Sequence, residues 1–170
     1  MTVSHEHDNH NQWERVAGDP KVVHGPGEYE INNIFITGIG SYHDNKKGAE
    51  RGKNTIYLIE FEDLKLCHLG DLGHVPTETQ AEALAGLDML FVPIGGVTAL
   101  NASKAAEVVS QLEPRIVVPM HYKTKAFPGK LDSLDKFLKE MGLKGVEEQE
   151  TLKITRSADD EETKVIVLKC

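Results

Sequence analysis

Cysteine is almost missing from this chain: 170 residues contain only Cys67 and Cys170, and no CxxC pair. That excludes a cysteine zinc ribbon and a disulfide framework, and a reduced cytoplasmic chain is the expectation. No apolar run approaches the roughly 20 residues that a spanning helix needs. The first ten residues are polar and acidic, where a secretory leader is basic and then apolar. Excess positive charge is also lacking. The net charge is −8 with histidine neutral, so nucleic acid and anionic membrane surfaces are poor partners. No internal repeat or low-complexity tract is visible.

What is present suits one globular domain. Hydrophobic residues make up 39% and charged residues 27%, enough for a core and near the ordinary soluble balance. Thr2-Val3 reads as a strand end, and Asn11 to Ala17 as a short helix stopped by Gly18 and Pro20. Lys21–His24, Glu28–Ile31 and Ile34–Ile39 are strand candidates around turn residues. Asn54–Phe61 alternates, with Ile56 and Leu58 on one face and Tyr57 and Ile59 on the other, and Leu64–His68 returns beside it. A helix near Thr77–Ala85 precedes a strand at Met89–Val92. Ala102–Leu112 has Ala105, Val108, Val109 and Leu112 at helical spacing, then Arg115–Val118 is a strand. Leu131–Met141 is an amphipathic helix, and Leu152–Thr155 and Lys164–Leu168 are late strand candidates. Strands first, then strand and helix in alternation, imply the α+β or α/β class.

The chemistry-bearing residues are histidines and one aspartate. In Ser4-His5-Glu6-His7-Asp8-Asn9-His10, an extended backbone points His5 and His7 to the same side, and His10 follows across a turn. Three imidazoles this close can converge on one or two zinc-like ions, or form a solvated His-rich tail. His43 sits in a polar loop after a strand, where a lone histidine is ordinarily a surface residue. Asp71 stands between glycines in His68-Leu69-Gly70-Asp71-Leu72-Gly73, a context typical of turns. His121 ends Ile116-Val117-Val118-Pro119-Met120-His121, at a strand terminus that can open into a crevice.

Taken in order, these motifs resemble the metallo-β-lactamase superfamily, most of all the branch of the ascorbate phosphate lactonase and similar metal-dependent hydrolases. The strings carrying the resemblance are Ser4-His5-Glu6-His7-Asp8-Asn9-His10, His43, His68-Leu69-Gly70-Asp71-Leu72-Gly73 and Val118-Pro119-Met120-His121-Tyr122. It implies an αββα sandwich formed by a single domain over residues 1–170. Members carry strands ahead of the histidine motif, so the domain is expected to be incomplete at its start, and the exposed edge leaves a homo-oligomer open. The resemblance also implies that His5, His7 and His43 hold one divalent metal and Asn9, His10 and His121 a second, with Asp71 shared. Zn²⁺ or Mn²⁺, one ion or two, fits such donors.

Asn9 departs from the family, which carries aspartate there. A neutral amide removes a negative charge, so the second metal position is expected to be weakened. The activity implied is hydrolysis by a hydroxide formed on the metal, acting on a lactone or a phosphate-containing small molecule, with Asp71 and His74 as catalytic candidates. Tyr122 and Lys123 are candidate substrate contacts, and the basic loop Lys46, Lys47, Arg51 and Lys53 can attract a phosphate. Phosphodiester hydrolysis is the alternative among enzymes. A metal-binding or assembly module without turnover is the alternative outside them.

Overall fold

The computed structural model describes residues 1–8, 10–127, 129–154 and 162–169. Asn9, Cys170 and Thr155, the last residue of one expected strand, lie outside the described residues. The chain begins with two short strands, β1 (Thr2–Val3) and β2 (Val23–His24), paired in parallel across a 3-10 turn at Trp13–Arg15. β3 (Gly27–Ile31), β4 (Ile34–Tyr42), β5 (Lys53–Phe61) and β6 (Leu64–His68) then form an antiparallel meander. The β3–β4 turn places Asn32 and Asn33 at φ 53° and 62°, a left-handed pair that asparagine tolerates better than most residues.

After α1 (Glu78–Ala83), β7 (Met89–Pro93) joins β6 in parallel. α2 (Ala102–Leu112) leads to β8 (Ile116–Met120), and α3 (Leu134–Glu140) to β9 (Glu148–Gln149). The chain closes with β10 (Lys164–Val165) on β8 and β11 (Val167–Leu168) on β9. The large sheet is therefore mixed and seven-stranded, in the order β10-β8-β7-β6-β5-β4-β3. This is an α+β arrangement.

Local sequence explains the helix limits. The Asn101 side chain accepts the Lys104 N–H at 2.9 Å and caps α2, which ends where Glu113 turns left-handed at φ 45°. Thr77 and Gln80 form a reciprocal capping box on α1. α3 starts later than its apolar spacing suggests, because the backbone at Asp132 is engaged elsewhere. Its N–H donates to Gly95 O and its carbonyl accepts from Lys123 N–H. The expected strand at Leu152–Thr155 is not formed over its described residues. The Lys164–Leu168 run is split at Ile166, where the chain passes from β8 to β9.

The alternation of β5 divides the core in two. Ile56 and Leu58 face the helices and pack with Leu90, Val117, Val108 and Phe137; Tyr57 faces the other way, onto Val23 and Ile36. Each such fully buried apolar side chain contributes about 1.5–3 kcal/mol. Cys67 lies wholly inside the first core, and burial pushes its thiol up, so it behaves as a small hydrophobe. No helix among the described residues is long and apolar enough to cross a membrane.

Strand direction gathers the site. β4 is antiparallel to β5, and β5 to β6, so β4 points the same way as β6, β7 and β8. The residues that follow β4, β6 and β8 are His43, the Asp71 loop and His121, and all emerge at one end of the sheet. The arm after β1 is tied to the same end by a Thr55 N–H bond to Ser4 O at 2.8 Å.

Candidate metal centre

Four imidazoles converge on one carboxylate oxygen. Asp71 Oδ2 lies 3.2 Å from His43 Nε2, 3.4 Å from His121 Nε2, and 3.7 Å from both His5 Nε2 and His10 Nε2. His5, His10 and Asp71 present donor atoms all within 4.8 Å of one another. The His7 ring flanks this trio, 6.1 Å from His5 and 5.7 Å from His10 between centroids. The compact trio thus draws on both halves of the ligand division that the sequence resemblance implies. Asn9, placed in the second half, is outside the described residues.

The arm reaches this position by turning on itself. His10 and Asn11 N–H both donate to His7 O, at 2.7 and 3.0 Å, which folds His10 back against His5. Outside the cluster, Glu6 is paired with His24 Nε2 at 2.6 Å and accepts from the Asn11 amide, fastening the arm to β2.

The electrostatics favour an ionised carboxylate beside neutral His5 and His10 rings. Burial alone would raise the Asp71 pKa, but the His43 hydrogen bond and the fields of His121 and His10 outweigh it and hold the group at about 2. His5 falls to about 4, chiefly by burial, with the neighbouring imidazoles adding to the effect and Asp71 opposing it. Burial lowers His10 as well; His43 is raised, because its bond to Asp71 overcomes desolvation.

The donor set fits a divalent cation. His5 Nε2 is buried and has no hydrogen-bond partner, although it faces the carboxylate. An orphaned buried nitrogen of this kind costs about 1–3 kcal/mol. Its other nitrogen, Nδ1, is bonded to Ser4 Oγ at 2.9 Å. This contact holds the ring with Nε2 toward the carboxylate, and in the tautomer where Nδ1–H donates to Ser4, Nε2 keeps a lone pair, as is usual for metal-ligating histidines. A cation between the imidazoles and Asp71 would resolve the orphan.

Backbone supports absent from the sequence reading hold these groups. Asn54 is buried; its Oδ1 accepts the Asp71 N–H at 3.0 Å, and its Nδ2 donates to Leu69 O at 2.9 Å and Ser41 Oγ at 2.8 Å. Gly70 adopts φ 60°, and a Cβ there would stand 2.3 Å from Asn54 Oδ1 and 2.7 Å from Ser4 Cβ. His121 has φ 53°, a conformation costing of order 1–3 kcal/mol in a residue other than glycine. A Cβ on Gly95 would meet His121 O at 2.1 Å. Asp44 accepts backbone N–H bonds from Lys46, Gly48, Glu50 and Arg51, which shape the loop beside His43. Those four donors overcome desolvation and hold its carboxyl at about 2.

The cluster lies in a cleft of about 1550 Å³. Tyr122 lines it. Lys123 is exposed and is not among the lining residues. His74 is not a lining residue either: its Nε2 accepts the Tyr42 N–H at 3.3 Å, and its Nδ1 is bonded to Val75 O at 2.9 Å. With both nitrogens committed to backbone, His74 is placed as a support of the loop between β6 and α1. Of the basic loop, Arg51 and Lys53 reach the cleft, while Lys46 is paired with Glu50.

Comparison with known proteins gives a consistent picture. Residues 1–121 match the family model described as a beta-lactamase superfamily domain. A UPF0173 metal-dependent hydrolase of Pyrococcus horikoshii is 34% identical over 100 residues, covering 58% of this chain and 44% of its own length. Another, from Rubrobacter xylanophilus, is 31% identical over 126 residues, covering 69% of this chain and 52% of its own. The chain therefore spans about half the length of the curated relatives it matches. A candidate Zn-dependent hydrolase of the metallo-β-lactamase superfamily from Thermotoga maritima has a TM-score of 0.80 and 34% identity, covering 98% of this chain and 79% of that one. Igni18, a metallo hydrolase of Ignicoccus hospitalis, has a TM-score of 0.62 over 96% of this chain and 74% of its own, and at 19% identity the likeness is one of fold.

Proposed function

Because the chain belongs to the metallo-β-lactamase superfamily, we propose that it is a metal-dependent hydrolase acting on a lactone or a phosphate ester of a small molecule. The observation that carries this reading is the set of four imidazole nitrogens within 3.7 Å of Asp71 Oδ2, with His5 Nε2 buried and unpartnered. His5, His7, His10, His43, Asp71 and His121 are the residues that would hold the metal, Zn²⁺ or Mn²⁺. When bound, such an ion supplies Lewis acidity and makes a water acidic enough to ionise near neutral pH.

The remaining work belongs to the chain. Asp71 stays ionised throughout the physiological range and would balance part of the charge of a bound cation. Ser4 fixes the orientation of His5, and Asn54 pins the Asp71 backbone, so the donors are organised before substrate arrives. Tyr122, on the cleft wall, is a substrate contact in this reading.

Elemental analysis of protein purified without chelator tests the proposal first. At least one Zn²⁺ or Mn²⁺ per chain, together with turnover of a lactone or phosphodiester panel that chelator abolishes, is the expected result. A chain without bound metal, inert after saturation with either ion, would refute it. A second reading, a metal-binding module without turnover, is favoured by Asn9, since the family carries a carboxylate at that position. Activity gained by Asn9→Asp in an otherwise inert protein would favour that reading for the natural chain.

A further inference from the structure

The rim of the cleft carries features that metal binding does not explain. Val97 and Phe127 are among the exposed large hydrophobics, at 58% and 56% of their full surface, and both line the cleft that contains Asp71 and the histidines. Val97 is held at φ 55°. A β-branched residue in that region is a genuine outlier, costing of order 1–3 kcal/mol, and such strain concentrates at ligand-contacting positions. It is fixed by a tight loop: Thr98 and Ala99 N–H point at Gly96 O, and Gly96 N–H donates to Leu100 O. The loop therefore pushes an apolar side chain into water from a strained backbone, two costs with no return from folding.

Phe127 is displayed in a similar way. A turn closes through Thr124 N–H to Phe127 O, and Phe127 N–H to Thr124 Oγ1. Gly129 leaves room for the ring, since a Cβ there would come within 2.8 Å of it.

Charge adds a second requirement. The chain carries a net charge of −8, yet Arg51 and Lys53 line the cleft and form no side-chain ion pair among the described residues. They flank Gly52, whose carbonyl accepts the His43 N–H at 3.1 Å, so they sit next to the metal-facing cluster. Unpaired cations beside the reacting centre of an acidic protein are suited to steering and holding an anion.

We propose that the substrate is a small anion bearing an apolar group, with Arg51 and Lys53 holding the anionic part and Val97 and Phe127 covering the apolar part. This rests on the hydrolase reading of the same cleft and names its substrate class. The two requirements select together: a bare anion leaves the apolar rim in water, and a neutral apolar molecule leaves the cations uncompensated.

Calorimetric titration of the full chain with phenylphosphonate, methylphosphonate and benzyl alcohol tests this, with metal content measured on every sample. Phenylphosphonate is expected to bind roughly tenfold more tightly than methylphosphonate, as expected for a well-covered ring, and benzyl alcohol more weakly than either. Val97→Ser with Phe127→Ala should abolish the preference for the phenyl group while leaving methylphosphonate affinity intact. Arg51→Glu with Lys53→Glu should weaken both anions about tenfold or more at unchanged metal content. All four side chains are at the cleft surface, and circular dichroism verifies the fold of each variant. Phenyl preference that survives the double rim variant, or anion affinity that survives the double charge reversal, would overturn the proposal and leave the hydrolase reading standing. A wild-type chain that discriminates as described yet holds no metal and stays inert after saturation with Zn²⁺ or Mn²⁺ would instead refute the hydrolase reading.

Discussion

Replacing Asn54 with alanine is expected to damage the metal centre from behind, without touching any group that would meet the ion. The side chain is almost wholly buried and makes three hydrogen bonds, to Asp71 N–H, Leu69 O and Ser41 Oγ. Truncation strands the Asp71 N–H and the Leu69 carbonyl in an interior that water does not readily reach. At about 1–3 kcal/mol for each stranded group, the variant should lose roughly 2–6 kcal/mol of stability. Release of the Asp71 backbone should also lower metal affinity by about 10–100-fold, the usual effect of losing an outer partner of a ligand. Urea unfolding of metal-free protein measures the first quantity, and competition with a chromogenic chelator measures the second. Asn54→Asp separates the two bonding roles, since a carboxylate still accepts from Asp71 N–H but cannot donate to Leu69 O. A loss below about 1 kcal/mol for Asn54→Ala, with metal affinity unchanged, would refute the idea that this amide organises the site.

Three further outcomes are expected. Gly70→Ala should unfold the chain or lower its stability by more than about 3 kcal/mol, because the new methyl collides with Asn54 Oδ1 and the backbone is left-handed; thermal unfolding measures this. Ser4→Ala should leave metal-free stability within about 1 kcal/mol of wild type yet reduce metal affinity about tenfold, since it removes only the partner of His5 Nδ1. Chelator should lower the unfolding temperature and added Zn²⁺ restore it, with free metal at a hundred times its Kd contributing about 2.7 kcal/mol. Identical melting with and without the ion would contradict the assigned donors.

Much of this could be read from residues in a row. α2 begins and ends where its apolar spacing places it, because helix period is local. His5, His10, His43, Asp71 and His121 are each weak alone, and only their order connects them; the shared direction of β4, β6 and β8 gathers His43, Asp71 and His121, and the arm after β1 brings His5 and His10 to the same end. Other features depend on partners remote in sequence. Asn54 looks like an ordinary strand-edge amide until Asp71, seventeen positions on, folds against it. His74 reads in the string as either a general acid or a supporting partner, and its contacts to Tyr42 and Val75 appear only once the loop is folded. β9 escapes notice because two-residue strands are defined by their neighbour rather than by composition. The late start of α3 has the same origin, a backbone claimed by Gly95 and Lys123 before the helix can use it.

The hydroxyl of Tyr57 has a consequence for how the protein opens. It donates to Val3 O at 2.8 Å, lies 3.3 Å from Val23 O, and accepts the Gly25 N–H at 3.0 Å, so one phenol fastens both short strands of the small layer to the large sheet. His5, His7 and His10 ride on that lightly pinned arm, whereas His43, Asp71 and His121 belong to the seven-stranded sheet. A cation bridging the two sets would act as a removable rivet, joining the start of the chain to a strand end more than a hundred residues away. In metal-free protein the arm should peel away as a unit, its amides exchanging with solvent well before those of the sheet, and loading the ion should bring the two rates together.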